Sequence, residues 1–244
     1  MGTVISVVSG KGGTGKSSTV VGVGIALSHL GKRVLCIDFD FGMRCLDLLF
    51  GCSDTVCMDC MDVMAGRCSL SQAVTVHPIH KSLFLLLAPV SIPSALSLEK
   101  FNALVSCAKA AYDYILIDTS PGLGVSFQSA CAVSDGVLVL SHCTMPALRG
   151  SQLTANSLPH TIPAHIILNG VKAKQLSHFP MTIDEVMDYV GLPLLGMIPN
   201  DVHLFQATSS EHFLPFPAHK GACAAYQNIA RRLTGEAVPL MRFA

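Results

Sequence analysis

Charge is scarce in this sequence. Asp, Glu, Lys and Arg make up 13% of its 244 residues, about half the usual quarter. A surface that poor in charge points to a partner subunit or something apolar covering part of it. The charges also cancel, 16 basic against 16 acidic, with a pI near 7.1. No basic tail or stripe is present, which argues against bulk attraction to nucleic acid. No apolar run approaches the roughly 18 residues that would read as a membrane span. A first strand opening at Thr3 leaves no room for a secretory leader, so the ten cysteines fit a reducing cytoplasm better than a disulfide framework. Internal repeats, low-complexity tracts and linkers are missing too, which predicts one domain over residues 1–244.

Half of the residues are hydrophobic, ample for a large core. Strand and helix patterns alternate along the whole length, predicting an α/β fold: a mostly parallel sheet with helices on both faces. The most informative stretch is Ser9-Gly10-Lys11-Gly12-Gly13-Thr14-Gly15-Lys16-Ser17-Ser18. It follows an apolar strand, Val4 to Val8, and precedes a helix with Val20, Val23, Leu27 and Leu30 on one face and Gly31 as its stop. From Gly10 to Ser17 the spacing is G-x-x-x-x-G-K-S, a phosphate loop in its proper strand–turn–helix context. Glycines let the backbone wrap an anion closely, and N–H groups at a helix N-terminus attract phosphate. Lys16 is placed to reach the β- and γ-phosphates of ATP, and Ser17 to hold Mg²⁺.

Further apolar strands deliver carboxylates. Arg33 to Ile37 is a predicted strand that presents Asp38-Phe39-Asp40 where open α/β sheets place ligands. Two carboxylates beside a phosphate loop would repel the nucleotide unless a cation lies between them; the alternative is a solvated turn. Tyr112 to Ile117 leads into Asp118, a Walker B arrangement in which Asp118 binds a magnesium-bound water. Ser82 to Ala88, Gly136 to Ser141, 164–168 and Leu194 to Ile198 are the remaining predicted strands. Helices are predicted at 54–65, at 97–111 capped near Ser97, after a Thr182–Glu185 capping box, and at about 217–233 with Ala218, Ala222, Ala225, Ile229 and Leu233 buried and Gly235 ending it. Cys57-x-x-Cys60, with Cys52 and Cys68 nearby, fits a metal or redox pair or plain core packing. Cys57, Cys60, Met61 and Met64 on one helical face favour core.

The form K-G-G-x-G-K-S, with Lys11 ahead of Lys16, resembles the deviant Walker A motif of the MinD/ParA/NifH (SIMIBI) class of P-loop ATPases. The stretch Asp38-Phe39-Asp40-Phe41-Gly42-Met43-Arg44-Cys45-Leu46-Asp47 resembles the MinD family's D-x-D-x-G-L-R-N-L-D more specifically. That resemblance implies that Lys11 crosses a dimer interface to the partner's nucleotide. It implies that Asp40, in switch I, positions the attacking water and that Asp38 supports the magnesium network. Thr119-Ser120-Pro121-Gly122 is similar to the family's switch II in altered order. Pro146 and Arg149 take places resembling an interface stretch, with a solvated helix start as the alternative. Asn169 implies an adenine contact, though Gly170 follows where the family usually has arginine, and Pro199-Asn200-Asp201 is similar to the I-P-x-D stretch near the base.

By resemblance the chain is a cytoplasmic Mg²⁺-dependent ATPase that forms a homodimer with ATP, turns over slowly, answers to an activator or effector of the MinC or MinE kind, and acts in division-site placement. A ParA-like partition ATPase and a flagellar-number regulator of the FlhG type are the alternatives. The resemblance also implies a basic amphipathic helix at the C-terminus that binds the inner face of the cell membrane. The sequence after Val238-Pro239-Leu240 is Met241-Arg242-Phe243-Ala244 and carries no such helix.

Overall fold

A computed structural model describes residues 1–52, 58–93, 95–176, 178–204 and 220–241. In chain order the elements are β1 (Thr3–Val8), α1 (Lys16–His29), β2 (Val34–Phe39), α2 (Leu46–Phe50), α3 (Cys60–Met64), α4 (Leu70–Ala73), β3 (Thr75–Val76), β4 (Leu83–Leu86) and α5 (Leu98–Ala111). Then follow β5 (Tyr114–Thr119), α6 (Val125–Val133), β6 (Gly136–His142), α7 (Met145–Asn156), β7 (Ala164–Val171), α8 (Ala173–Leu176), α9 (Ile183–Val190), β8 (Leu194–Pro199) and α10 (Gly221–Leu233).

The strands form one sheet in the order β3-β4-β2-β5-β1-β6-β7-β8. All pairings are parallel except β3 with β4. This is the predicted mostly parallel sheet, with a short antiparallel edge that no sequence pattern announced. The central strands are apolar throughout because both faces are covered. Within β1, side chains alternate between layers: Ile5 and Val7 pack into the core formed with α1 and α10, Val4 into the one formed with α5.

Helix α1 departs from the expected one-sided face. Every residue from Thr19 to Leu27 is buried, because α10 lies over the side that an amphipathic helix would show to water. Leu30 falls at the C-cap and is 40% exposed. Close packing of α1 on α10 depends on Gly22: a Cβ there would lie 2.4 Å from the fully buried ring of Tyr226. Gly22→Ala is therefore expected to destabilise. The gain in helix propensity is about 1 kcal/mol, whereas forcing a methyl into a filled core costs about 1–3 kcal/mol, and more here because an aromatic ring must move. A melting temperature lower by several degrees is the expected result; an unchanged or higher one would mean that Tyr226 shifts freely.

Strand ends differ from the sequence boundaries in two places that matter. Asp38 lies inside β2 rather than after it, and Asn169 and Gly170 lie inside β7, where a register shift occurs between Leu168 and Val171 and Gly170 has φ 68°. The predicted helix 54–65 is helical over Cys60–Met64; Cys57 lies outside the described residues, as does Ala218 of the predicted last helix. Cys60 and Met64 are core residues beside Phe39 and Leu86, with Met61 packed against them. Helix 97–111 appears as α5, with Ser97 Oγ accepting the Lys100 N–H. Thr182 and Glu185 form the expected capping box on α9. Gly31 and Gly235 both take positive φ just past a helix.

Candidate functional site

The carboxyl ends of β1, β2 and β5 lie side by side, so the loops leaving them share one rim, as ligand-binding loops of open parallel sheets do. The loop after β1 wraps into α1, with Gly15 as N-cap at φ 89° and the Thr19 N–H donating to the Gly15 carbonyl at 2.9 Å. Side chains hold the loop's carbonyls. Ser9 Oγ donates to the Lys11 carbonyl at 2.7 Å, and Asn169 Nδ2 to the Thr14 carbonyl at 2.7 Å. Imidazole Nε2 of His142 lies 3.2 Å from the Gly13 carbonyl. Peptide groups are planar and trans, so each carbonyl held outward turns the N–H of the same peptide group the other way. The N–H groups of Gly12, Thr14 and Gly15 are thus directed away from these partners, the arrangement of an anion nest. A Cβ at Gly15 would lie 2.2 Å from Asn169 Nδ2, so this position excludes larger residues twice over, by φ and by space.

Beside the loop is a cleft of about 480 Å³, lined by Gly12, Gly13, Gly15, Lys16, Ser17 and Ser18, by Asp40 and Pro121, and by Met43, Cys45, Leu48 and Leu49. Lys16 is buried and its Nζ donates to Ser9 Oγ at 3.1 Å. Burial lowers its pKa, against the opposing pull of Asp118, Asp40 and Cys45. Asp118 is buried at the end of β5. Burial, followed by the charge of Asp38 opposite it in the strand register, pushes its carboxyl up to about 8. The Ser17 hydroxyl, close to the carboxylate, and the Lys16 charge draw that value down, while neither Asp118 oxygen makes a well-aligned hydrogen bond. An unpartnered buried carboxylate next to a hydroxyl fits the oxygen ligand set of a hard divalent cation.

Asp38, expected to support the magnesium network, is tied to the backbone of the loop that follows it. Its carboxylate accepts the N–H groups of Asp40 at 3.0 Å, Cys45 at 3.1 Å and Leu46 at 3.1 Å. It therefore pins the loop that carries Asp40 and starts α2. Burial still raises its pKa to about 6, opposed by those backbone bonds. Asp40 lines the cleft, half-buried, with its own carbonyl closing a turn to Met43 and Arg44. Lys11 is exposed on the rim, away from the cleft lining, and Arg149 is exposed on α7.

The base-contact candidates stand apart from the cleft. The Asn169 amide, expected to contact adenine, donates through Nδ2 to the Thr14 carbonyl and accepts the Gly170 N–H through Oδ1 at 2.8 Å. Asp201 caps α10, accepting the Ala222 N–H at 2.9 Å through Oδ2 and the His203 N–H at 2.9 Å through Oδ1. Pro199 ends β8. Among the described residues, no group of three or more His, Cys, Asp and Glu is arranged to hold a metal. Two participants carry no motif signal. Ser126 Oγ donates to the Phe39 carbonyl at 2.7 Å and accepts the Ser120 N–H at 3.2 Å, tying the loops after β2 and β5 together. His142 is the other, visible beforehand only as a polar residue closing an apolar strand.

The AAA domain family matches residues 2–166. Septum site-determining protein MinD of Helicobacter pylori is 34% identical over 257 residues, covering all of this chain and 94% of that protein. The chain belongs to the MinD family. MinD in the MinC:MinD cell division protein complex of Aquifex aeolicus superposes with a TM-score of 0.91 at 30% identity, over 99% of each chain. Septum site-determining protein MinD of Pyrococcus horikoshii OT3, complexed with Mg-ADP, superposes with a TM-score of 0.83 at 25% identity, over 96% of each. In the stretch after β2, Arg44, at φ 31°, pairs with Asp47 at 2.8 Å, and the Cys45 N–H donates to Asp38.

Proposed function

We propose that this chain is a Mg²⁺-dependent ATPase of the MinD type, a single P-loop domain that dimerises with ATP and takes part in placing the division septum. The observation that carries the reading is the unpartnered Asp118 carboxylate beside Ser17 and Lys16 on a phosphate loop, in a chain that aligns with MinD over its whole length. Loop N–H groups and Lys16 would bind the phosphates, with the ammonium leaving Ser9 for the β- and γ-phosphate oxygens. Ser17 and Asp118 would hold magnesium, which when bound neutralises phosphate charge and polarises the γ-phosphoryl group. Asp38 keeps Asp40 in place, and Asp40 orients the water that attacks the γ-phosphorus as the bond to ADP breaks. Lys11, exposed on the rim, is free to reach the nucleotide of a second copy. The backbone around Asn169, Pro199 and Asp201 would border the base.

Asp40→Ala tests the switch. Turnover is expected to fall about 10²-fold or more, while sedimentation still shows an ATP-dependent dimer, now longer-lived. Equal dimerisation with ADP and ATP, or unchanged turnover, would contradict the reading. Slow basal turnover and acceleration by a MinC- or MinE-like partner belong to the same reading, as does a peripheral place at the inner membrane face. Among the described residues no helix is long and apolar enough to cross a membrane.

A further inference from the structure

The register between β2 and β5 ends at Phe39 opposite Thr119. A side chain makes the next link between the two strands. Ser126 Oγ donates to the Phe39 carbonyl at 2.7 Å and accepts the Ser120 N–H at 3.2 Å. A carbonyl only accepts and an N–H only donates, so both roles of the hydroxyl are fixed. Ser126 is the second residue of α6 and is buried. Its grip falls on one particular peptide group. The Phe39 carbonyl and the Asp40 N–H belong to the same planar unit, and Asp38 Oδ1 accepts that N–H at 3.0 Å. The peptide leading into Asp40 is therefore clamped at both ends, by a carboxylate on one side and a hydroxyl on the other.

The second bond of the hydroxyl leads to the phosphate loop. Ser120 is followed by Pro121, which lines the cleft, and by Gly122, whose N–H donates to the Ser9 carbonyl at 2.9 Å. Ser9 Oγ in turn accepts Lys16 Nζ at 3.1 Å. We propose that Ser126 is a positioning residue for hydrolysis: its hydroxyl couples the Asp40 loop to the loop after β5, and so sets the water-orienting carboxylate in register with the phosphate loop. The proposal rests on the role given to Asp40 above. Ser126 is not part of the cleft lining and acts only through the backbone it holds. Its loss leaves the phosphate-binding groups in place and frees one end of the Asp40 peptide. Misplacing a reacting group by about 1 Å costs up to about 10²-fold in rate. Ser126→Ala is thus expected to lower kcat about 10- to 100-fold, with the KM for ATP and the affinity for Mg-ADP within about threefold of the unmodified chain.

A double-mutant cycle provides the test, because residues that act as one unit are not additive. Phosphate release gives kcat and KM, and calorimetry the Mg-ADP affinity, for the unmodified chain, Ser126→Ala, Asp40→Ala and the double variant. Ser126→Ala is expected to lower kcat as stated in the unmodified chain, but by less than about twofold in the Asp40→Ala background. Equal fold losses in both backgrounds would overturn the proposal and leave Ser126 a merely structural residue. Turnover in Ser126→Ala within about twofold of the unmodified chain would overturn it as well. Should Ser126→Ala fail to fold, amide exchange of the unmodified chain decides. The N–H groups of Asp40 and Ser120 are expected to open as one unit and to gain protection together when Mg-ADP binds; protection of one without the other would overturn the coupling. Failure of the underlying reading looks different. Unchanged turnover in Asp40→Ala would remove the role of Asp40, and the proposal with it, while Mg-ADP still binds. No Mg-ADP binding to the unmodified chain would overturn the nucleotide reading itself.

Discussion

Lys16→Gln is expected to cut ATP turnover about 10³-fold or more while leaving the fold nearly as stable as before. The first half follows from position. The buried Lys16 ammonium donates to Ser9 Oγ, inside the loop proposed to bind the phosphates. Among the described residues no other buried cation is available there to meet charge on the β- and γ-phosphate oxygens, because the Lys11 side chain is exposed on the rim. Losing one well-placed donor in such a site costs about 10²–10³-fold, and losing a full positive charge from phosphoryl transfer costs about 10³–10⁵-fold. The second half follows from two effects that oppose one another. Removing a buried ammonium relieves its desolvation, which dominates its pKa. It also removes a charge that holds Asp118 down. Asp118 already sits near 8, so at pH 7 it answers by staying protonated rather than by forcing the chain open. Phosphate release assays beside thermal melts measure both. Lys16→Arg is not expected to rescue, since a planar guanidinium does not fit a place that is 7% exposed and shaped for an ammonium. Turnover kept within tenfold of the unmodified chain would remove Lys16 from the transition state.

The phosphate loop was legible in the sequence because its mechanism is local. Spacing, glycines and a strand–helix context are enough to place Gly10 to Ser18 on one rim, and the sheet order puts Asp118 and Asp38 next to each other beside it. The parts that were not legible depend on partners far along the chain. Asp38 reads as a second cleft carboxylate until the three N–H groups that turn it inward are seen. The amide of Asn169 finds its carbonyl 155 positions away. Tyr226, packed over Gly22, removes the solvent face that the α1 pattern implied. His142 and Ser126 had no motif at all. Their roles arise from strand registry and from one helix start meeting two loops. Periodicity reports what a segment buries, not what covers it, so boundary shifts of two or three residues at the ends of β2 and β7 were enough to change how Asp38 and Asn169 act.

Asp118→Asn is expected to raise the melting temperature of the nucleotide-free protein and to abolish its function together. Both Asp118 oxygens are buried, and beyond the nearby Ser17 hydroxyl no group is aligned to donate to them. Burial first, then Asp38, lifts the carboxyl from an unfolded value near 3.9 to about 8. The sign follows directly. Folding favours the protonated acid, so its stabilising contribution is complete below the unfolded pKa and is lost as pH rises from about 4 through about 8. The nucleotide-free chain should therefore melt higher at pH 5 than at pH 8. Asp38, raised to about 6, contributes the same slope over the lower part of that window and will keep it in the variant. Asparagine cannot ionise, so the upper part of the slope should vanish. At pH 8 the variant should be the more stable, because its amide, though still polar, carries no charge whose burial opposes folding. Mg-ADP should invert the order, because the unmodified chain gains a cation against that carboxylate and the variant does not. Turnover in the variant is expected to fall about 10²–10³-fold. Melts at pH 5 and pH 8, with and without Mg-ADP, decide the matter. A variant that melts lower than the unmodified chain when free, with an unchanged pH slope, would mean that Asp118 is satisfied within the fold. In the expected case the carboxylate destabilises the empty protein because its partner is a metal that arrives with the nucleotide.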